Sequence, residues 1–331
     1  MVALIQGMLG VRSVNLSTMS SMFQDGDAQQ TSIYRRFQRF FKEFDLPSAD
    51  IARVILAKLP KPEEGYTLCM DRTNWKLGKS HINILTVAVR AGKICVPVAW
   101  LVLPQSTKKG NSGFRHRKKV MSELFAVLPA KDIKVLLMDR EFLGKDWLEW
   151  LNGMGINFVL RIKSNTIVGD KLADELGSTP GPKAQGEQSI WGMNLCFAHK
   201  KIKGNRGSDL FVVSNGFKGK QALELYHQRW GIELLFSHLK LRGFNLEATH
   251  LTKRKKLESL MAVVSLSFLY SYGWGLHLRA TRKQTAFVRR KSDFKYGLDS
   301  IIGMLFNPIS VDGLMPEFLD WIDSGVFEIS C

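Results

Sequence analysis

Cysteine is scarce: Cys69, Cys95, Cys196 and Cys331 are the only four in 331 residues. None forms a CxxC pair, and no Cys/His group has zinc-ligand spacing. A disulfide scaffold and a zinc module are excluded, and the four read as free thiols in a reducing compartment. Acidic residues are also in deficit, 30 Asp and Glu against 47 Lys and Arg, a formal charge of +17. Such an excess is far from the near-neutral balance of a typical enzyme and points to a polyanionic partner, nucleic acid first and a membrane surface second. A signal-peptide pattern is missing, because Gln6, Arg12 and Asn15 interrupt the early hydrophobics. Long apolar runs are missing too, with one exception at residues 260–278. That run is flanked by Lys253, Arg254, Lys255 and Lys256 on one side and Arg279 on the other. It contains Ser265, Ser267, Ser271, Tyr270, Tyr272 and His277, and no second candidate span exists. A buried core helix is expected there, not a membrane span. There is no internal repeat.

What is present is enough hydrophobic material, 45% of the chain, for a sizeable core and about two domains. The positive charge is clustered. One patch is Arg35, Arg36, Arg39 and Lys42. A second is Lys108, Lys109, Arg115, Arg117, Lys118 and Lys119. A third runs from Lys253 to Lys256 and continues in Arg279, Arg282, Lys283, Arg289, Arg290 and Lys291. One such patch is usually a solvated face, whereas three with a large net excess favour phosphate contact. The last 25 or so residues are acidic instead, with Asp312, Glu317, Asp320, Asp323 and Glu328.

Hydrophobic period divides the chain. Residues 1–60 read as helical, with a polar break at 24–30 and the Thr31/Ser32 pair as an N-cap. These helices suit a helix-turn-helix-like DNA reader and a plain helical lid equally well. Residues 61–164 change period. They predict strands at EGYTLCMDRT, HINILTVAVR and ICVPVAWLVLP, then helix, strand, helix and strand ending at INFVLRIKSN. The Ala91-Gly92-Lys93 turn makes the second and third strands a hairpin. The expected fold is α/β: a mixed five-stranded sheet in order 3-2-1-4-5, flanked by helices. Residues 165–216 read as a β-rich insertion, with the turn KGNRG splitting its strands. Residues 217–256 return to the core, and 257–331 form a C-terminal helical region.

The segment LYHQRWGIELLFSHLKLRG follows the insertion. As one helix from 225 to 241, at roughly 100° per residue, it places Tyr226, Arg229, Glu233 and Lys240 within an arc of about 60°. Trp230 and Ser237 border the arc, and Leu225, Ile232, Leu235, Phe236 and Leu239 form the dry face. An acid among two cations and two aromatics suits a metal ion and a phosphodiester. An ordinary amphipathic helix with a solvated face reads the same way. Strand order favours the chemical reading. Asp71 is expected to close strand 1 and Asp139 to close strand 4, so neighbouring parallel strands would bring both to the sheet edge where ligands bind. With Glu233 they make three hard carboxylates, able to coordinate two Mg²⁺ or Mn²⁺ ions roughly 4 Å apart.

The pattern Tyr-x2-Arg-x3-Glu-x6-Lys, filled by Tyr226, Arg229, Glu233 and Lys240, resembles the signature of DDE transposases of the insertion-sequence family 4 type. MDRTNW around Asp71 and MDREFLG around Asp139 resemble the two aspartate motifs of that family. FVLRIKSN resembles the strand just beyond, and SIYRRFQRFF the N-terminal region of some members. The resemblance covers roughly residues 30–275. It implies an RNase H-like core, cut-and-paste movement of a DNA element, and a homodimer synapsing two element ends. It implies metal binding and catalysis by Asp71, Asp139 and Glu233, and DNA contacts by Tyr226, Arg229, Trp230, Lys240, Arg140, Arg161 and Lys163. A cytoplasmic bacterial protein, nucleoid-associated when bound to duplex DNA, is the expected setting. One departure stands out. Members place a Trp on the insertion strand before the signature helix, to hold a flipped base. Here DLFVVSN has none, Phe211 is the nearest substitute and Trp191 lies on an earlier strand. The alternatives are an RNase H-like nuclease without strand transfer, and a catalytically inactive transposase-derived DNA-binding protein.

Overall fold

The structure is a computed structural model that describes residues 1–23, 30–104, 112–178, 186–202, 209–307 and 314–327. Lys108, Lys109, Asp312, Glu328, Cys331, the KGNRG turn and all but the last residue of the polar break lie outside the described residues. Four helices lead the chain: α1 (Val2–Val11), α2 (Leu16–Ser20), α3 (Gln30–Glu43) and α4 (Ser48–Lys58). Thr31 and Ser32 lie inside α3 and do not cap it, since the helix already includes Gln30.

The sheet begins with β1 (Tyr66–Leu77), β2 (Ser80–Ala91) and β3 (Ile94–Val102), an antiparallel meander. Helix α5 (Phe114–Phe125) leads to β4 (Ile133–Met138), and α6 (Lys145–Gly153) to β5 (Phe158–Ile162). Both β4 and β5 run parallel to β1, as crossovers through helices require. The short hairpin β6 (Ile167–Val168) and β7 (Lys171–Leu172) and helix α7 (Ala173–Ser178) come next, then β8 (Gly186–Ile190), β9 (Met193–Lys200) and β10 (Leu210–Ser214).

The sheet order is 3-2-1-4-5-10-9-8. The expected order 3-2-1-4-5 is its first part. The expected count of five is corrected to eight among the described residues, because β10 pairs antiparallel with β5 and carries the insertion hairpin into the same sheet. A free β5 edge would leave a ladder of unpaired backbone groups, and β10 covers it.

β3 is an edge strand, yet all nine of its residues are buried. Pro97, which lacks an N–H, belongs at such an edge. Four helices pack on β3: α4, α5, α9 (Trp230–Ser237) and α10 (Arg254–Thr281). Helix α10 contains the 260–278 run. Among the described residues it alone is long and apolar enough to cross a membrane, and its apolar window is 89% buried inside the protein. It begins at Arg254, so the boundary expected at 256/257 falls in its first turn. It crosses α12 (Asp293–Phe306) backbone to backbone. A Cβ on Gly275 would stand 1.8 Å from the Asp293 carbonyl, and one on Gly297 1.9 Å from that of Ser271. Two further helices, α11 (Ala286–Arg289) and α13 (Leu314–Asp323), flank this pair.

Candidate active site

Asp71 lies inside β1 and does not end it. β1 runs six residues further, to Leu77, because its antiparallel ladder with β2 continues to Leu77↔Ser80. The parallel ladder with β4 does stop at Met70↔Met138, one residue before each aspartate. Asp71 and Asp139 therefore still emerge side by side where β1 and β4 part. Asp139 then enters a 3₁₀ turn, Arg140–Phe142.

The segment expected as one helix from 225 to 241 is three pieces: α8 (Gly219–His227), α9 (Trp230–Ser237) and a π turn, His238–Arg242. Between α8 and α9 the hydrogen bonds tighten to i→i+3, with Arg229 N–H donating to the Tyr226 carbonyl at 3.0 Å and Ile232 N–H to the Arg229 carbonyl at 3.0 Å. A uniform 100° step does not foresee a tightened link followed by a widened turn. Gly231 lets α9 lie directly on β3: a Cβ there would stand 2.9 Å from Cys95 Sγ.

That seating brings Glu233 to the aspartates through a polar hub. Arg229, 6% exposed, donates from Nη1 to Asp71 Oδ2 at 3.0 Å and from Nη2 to Glu233 Oε1. Its Nε donates to the Tyr226 hydroxyl at 3.1 Å, and that hydroxyl donates to Asp139 Oδ1 at 3.2 Å. One guanidinium thus reaches two of the acids directly and the third through Tyr226. Arg161 Nη1, on β5, stands 4.0 Å from Asp139 Oδ1. The other oxygen of Asp71 accepts the Arg72 N–H at 2.7 Å.

Burial pushes the Asp71 carboxyl up to about 6, against the Arg229 charge and the Arg72 N–H, while Glu141 and Asp139 add to the rise. Burial also lifts the Tyr226 phenol to about 12, so it remains a donor at neutral pH. Burial alone would lower the Arg229 guanidinium, but Tyr226, Asp71, Asp139 and Glu233 outweigh it and hold the group charged.

Among the described residues no three His, Cys, Asp or Glu side chains stand together closely enough to hold an ion. The donor chemistry nevertheless fits a hard divalent cation: three carboxylates gathered around one cationic centre.

The remaining sequence candidates spread around this hub. Lys240, on the π turn, donates to the Asn74 carbonyl at 2.9 Å, pairs with Glu247 at 2.9 Å and lies 5.8 Å over the Trp75 ring. Trp230 is 59% exposed, which removes packing as its role. Arg140 and Lys163 are exposed beside the sheet edge. Phe211 is buried and stacked on His199 at 4.7 Å. Trp191 sits at the β8–β9 turn. Strand directions put that turn at the opposite edge of the sheet from Asp71 and Asp139.

Sequence reasoning missed the braces. Arg117, counted above as surface charge, is 5% exposed. It donates to Ser112 Oγ at 3.1 Å, the Phe142 carbonyl at 3.0 Å and the Glu141 carbonyl at 2.8 Å, which fixes the turn after Asp139. Arg72 grips the Glu141 carboxylate at 3.1–3.3 Å, tying the residue after Asp71 to the same turn. A signal for Arg117 existed: it shares the helical stripe of Val120, Met121 and Leu124, all buried.

The basic patches also sort themselves. A groove of about 510 Å³ is lined by Tyr34 and Gln38 of α3 and by His250, Lys253 and Lys256, so the helix that carries the first patch borders the start of the third. By contrast Arg279 pairs with Asp293, Arg282 with Glu317 and Lys291 with Asp299. Much of the third patch is therefore neutralised internally, in part by the acidic C-terminal segment.

No curated protein matches the chain. A family model described as a transposase DDE domain matches residues 64–269, more than half of the 331, and the match spans Asp71, Asp139, Glu233 and the braces around them. The chain belongs to the transposase DDE domain family.

Proposed function

We propose that the protein is a DNA transposase of the insertion-sequence family 4 type, cutting and joining DNA at the terminal inverted repeats of its own element by a cut-and-paste route. The observation that carries this reading is the gathering of Asp71, Asp139 and Glu233 around Arg229 and Tyr226 at one sheet edge. The three carboxylates would hold two Mg²⁺ or Mn²⁺ ions. Such ions supply Lewis-acid stabilisation of phosphodiester oxygens and lower the pKa of the attacking water or 3′-hydroxyl.

The chain's own residues orient the DNA. Exposed Arg140 and Lys163, with Arg161 behind them, are cations at the same edge, suited to phosphate. Lys240 is held by Asn74 and Glu247 as a fixed point charge. Trp230 offers its face to a base or sugar, a task for which Phe211 is too buried and Trp191 too distant. Tyr226 keeps its proton and orients Asp139. The groove between α3 and the start of α10 would carry flanking duplex. A homodimer would synapse two ends, in the cytoplasm of a bacterium.

The test is a donor duplex bearing the element end, mixed with a target plasmid and Mg²⁺. Transposase action gives 3′-hydroxyl ends that become covalently joined to the target. Cleavage without joining would instead make the protein a nuclease, and salt-dependent binding without cleavage would make it an inactive DNA-binding relative.

A further inference from the structure

Arg229 is positioned by its contacts, as well as by its charge, to do something other than grip DNA. Its guanidinium occupies one oxygen of each of two acids that a cation at this centre would draw on. Asp71 Oδ2 is bound to Nη1 and Glu233 Oε1 to Nη2, while Asp71 Oδ1 is taken by the Arg72 N–H. Asp139 Oδ1 accepts the hydroxyl of Tyr226, which Arg229 Nε in turn orients.

Half-buried acids of like charge repel, and one must neutralise unless a cation sits between them. Here that cation belongs to the chain. A guanidinium keeps its acids apart on separate nitrogens, at 3.0 Å for Asp71. A Mg²⁺-sized ion needs oxygens at about 2.0–2.1 Å converging on one point. A metal ion that draws on Asp71 Oδ2 or Glu233 Oε1 must displace the guanidinium, so the two cations compete for these atoms.

We propose that Arg229 is a built-in counter-cation that holds the acid centre shut to divalent ions until a DNA phosphate draws its guanidinium away. The acids around it are open to solvent, Glu233 over 35% of its side chain and Asp139 over 28%, so a phosphate can approach the guanidinium from their side. A phosphodiester accepts two parallel N–H bonds as a carboxylate does, and replaces what the guanidinium gives up. Released acids can then close on metal. DNA binding and metal binding become mutually reinforcing, and by linkage each raises the affinity of the other by the same factor. The centre would stay without a metal until the DNA arrives, which restrains cleavage of the wrong substrate. This inference rests on the reading of Asp71 and Glu233 as metal ligands.

The experiment is a titration of the full-length protein with Mn²⁺, following the free-ion paramagnetic resonance signal. It is done with and without a duplex oligonucleotide, for the natural chain and for Arg229→Gln, and again for both after adding Asp71→Asn with Glu233→Gln. In the natural chain, DNA is expected to tighten Mn²⁺ binding on the order of ten-fold or more, the scale of one charge-assisted contact given up. Arg229→Gln without DNA is expected to show most of that gain, and adding DNA to add little. Equal Mn²⁺ affinity in the natural chain and Arg229→Gln overturns the counter-cation role while leaving the acids as ligands. Mn²⁺ binding that ignores Asp71→Asn with Glu233→Gln in both backgrounds overturns the metal-site reading, and the inference with it. Should Arg229→Gln prove unfolded by circular dichroism, Arg229→Lys serves. Its single ammonium cannot bridge both acids, so an intermediate gain supports the role and no gain overturns it.

Discussion

The acid edge and the α10–α12 crossing are both buried and tightly constrained, but by opposite means. At the crossing, the closest constraint is shape: two glycines let backbones approach until no Cβ fits, with the Arg279–Asp293 pair at its end. At the acid edge, constraint is charge and direction: each position is set by donors and acceptors, from Arg229 and Tyr226 in the centre to Arg117 and Arg72 at the rim. A shape-held contact is rigid in one arrangement. A charge-held contact can exchange partners, which is what the proposed binding of metal and DNA would require.

The largest effect should come from breaking shape. Gly297→Ala forces a methyl into the Ser271 carbonyl and should cost about 3 kcal/mol or more, measured by urea unfolding. Next comes the rim of the acid edge. Arg117→Ala strands the Glu141 and Phe142 carbonyls and should cost about 2–3 kcal/mol in the same assay. It should also slow strand cleavage, whereas the fraction of Gly297→Ala that folds should cleave normally. The two variants separate a brace of the site from a brace of the core.

The third effect concerns His238, at the start of the π turn and packed on Phe294 and Phe268. Burial, with some help from Arg242, holds its folded pKa down near about 4. An unfolded histidine takes a proton near 6.5, so the stabilisation is complete above that pH and declines as pH falls from 6.5 towards 4. Stability should drop by about 2 kcal/mol between pH 7.5 and 5 from this group. His238→Asn should flatten the profile over that window, and an unchanged profile would contradict the assignment.

The smallest effect separates the basic patches. Lys256→Ala, at the groove, should change stability by less than about 0.5 kcal/mol yet reduce the salt slope of DNA binding by about 1. Arg279→Ala removes an internal ion pair with Asp293 and should leave that slope unchanged.

Much of this was legible in the sequence because it depends on order and period. Strands alternating with helices gave the 3-2-1-4-5 arrangement, and a conspicuous apolar run gave the central helix α10. The paired emergence of Asp71 and Asp139 needed only parallel neighbours. The rest depended on partners distant in sequence. That β10 would complete the β5 edge needed the pairing of residues 210–214 with 159–162. That Asp71 lies within a strand needed the hairpin to continue past the parallel ladder. The resemblance implies a DNA contact for Arg229, and a helical wheel shows its direction and not its neighbours. Its engagement with two acids appears only once Asp71 is brought across the sheet. Charge counting groups Arg117 with exposed cations, because it ignores which face of a helix is buried.

The most direct test of the central claim is strand cleavage by Glu233→Gln, which keeps the side chain's shape and removes its charge. On a supercoiled donor carrying the element ends, with Mg²⁺ present, the natural chain should release 3′-hydroxyl ends. The variant should bind the same DNA with unchanged salt dependence but cleave on the order of 10³-fold more slowly or not at all. Cleavage by Glu233→Gln at the natural rate would contradict the account.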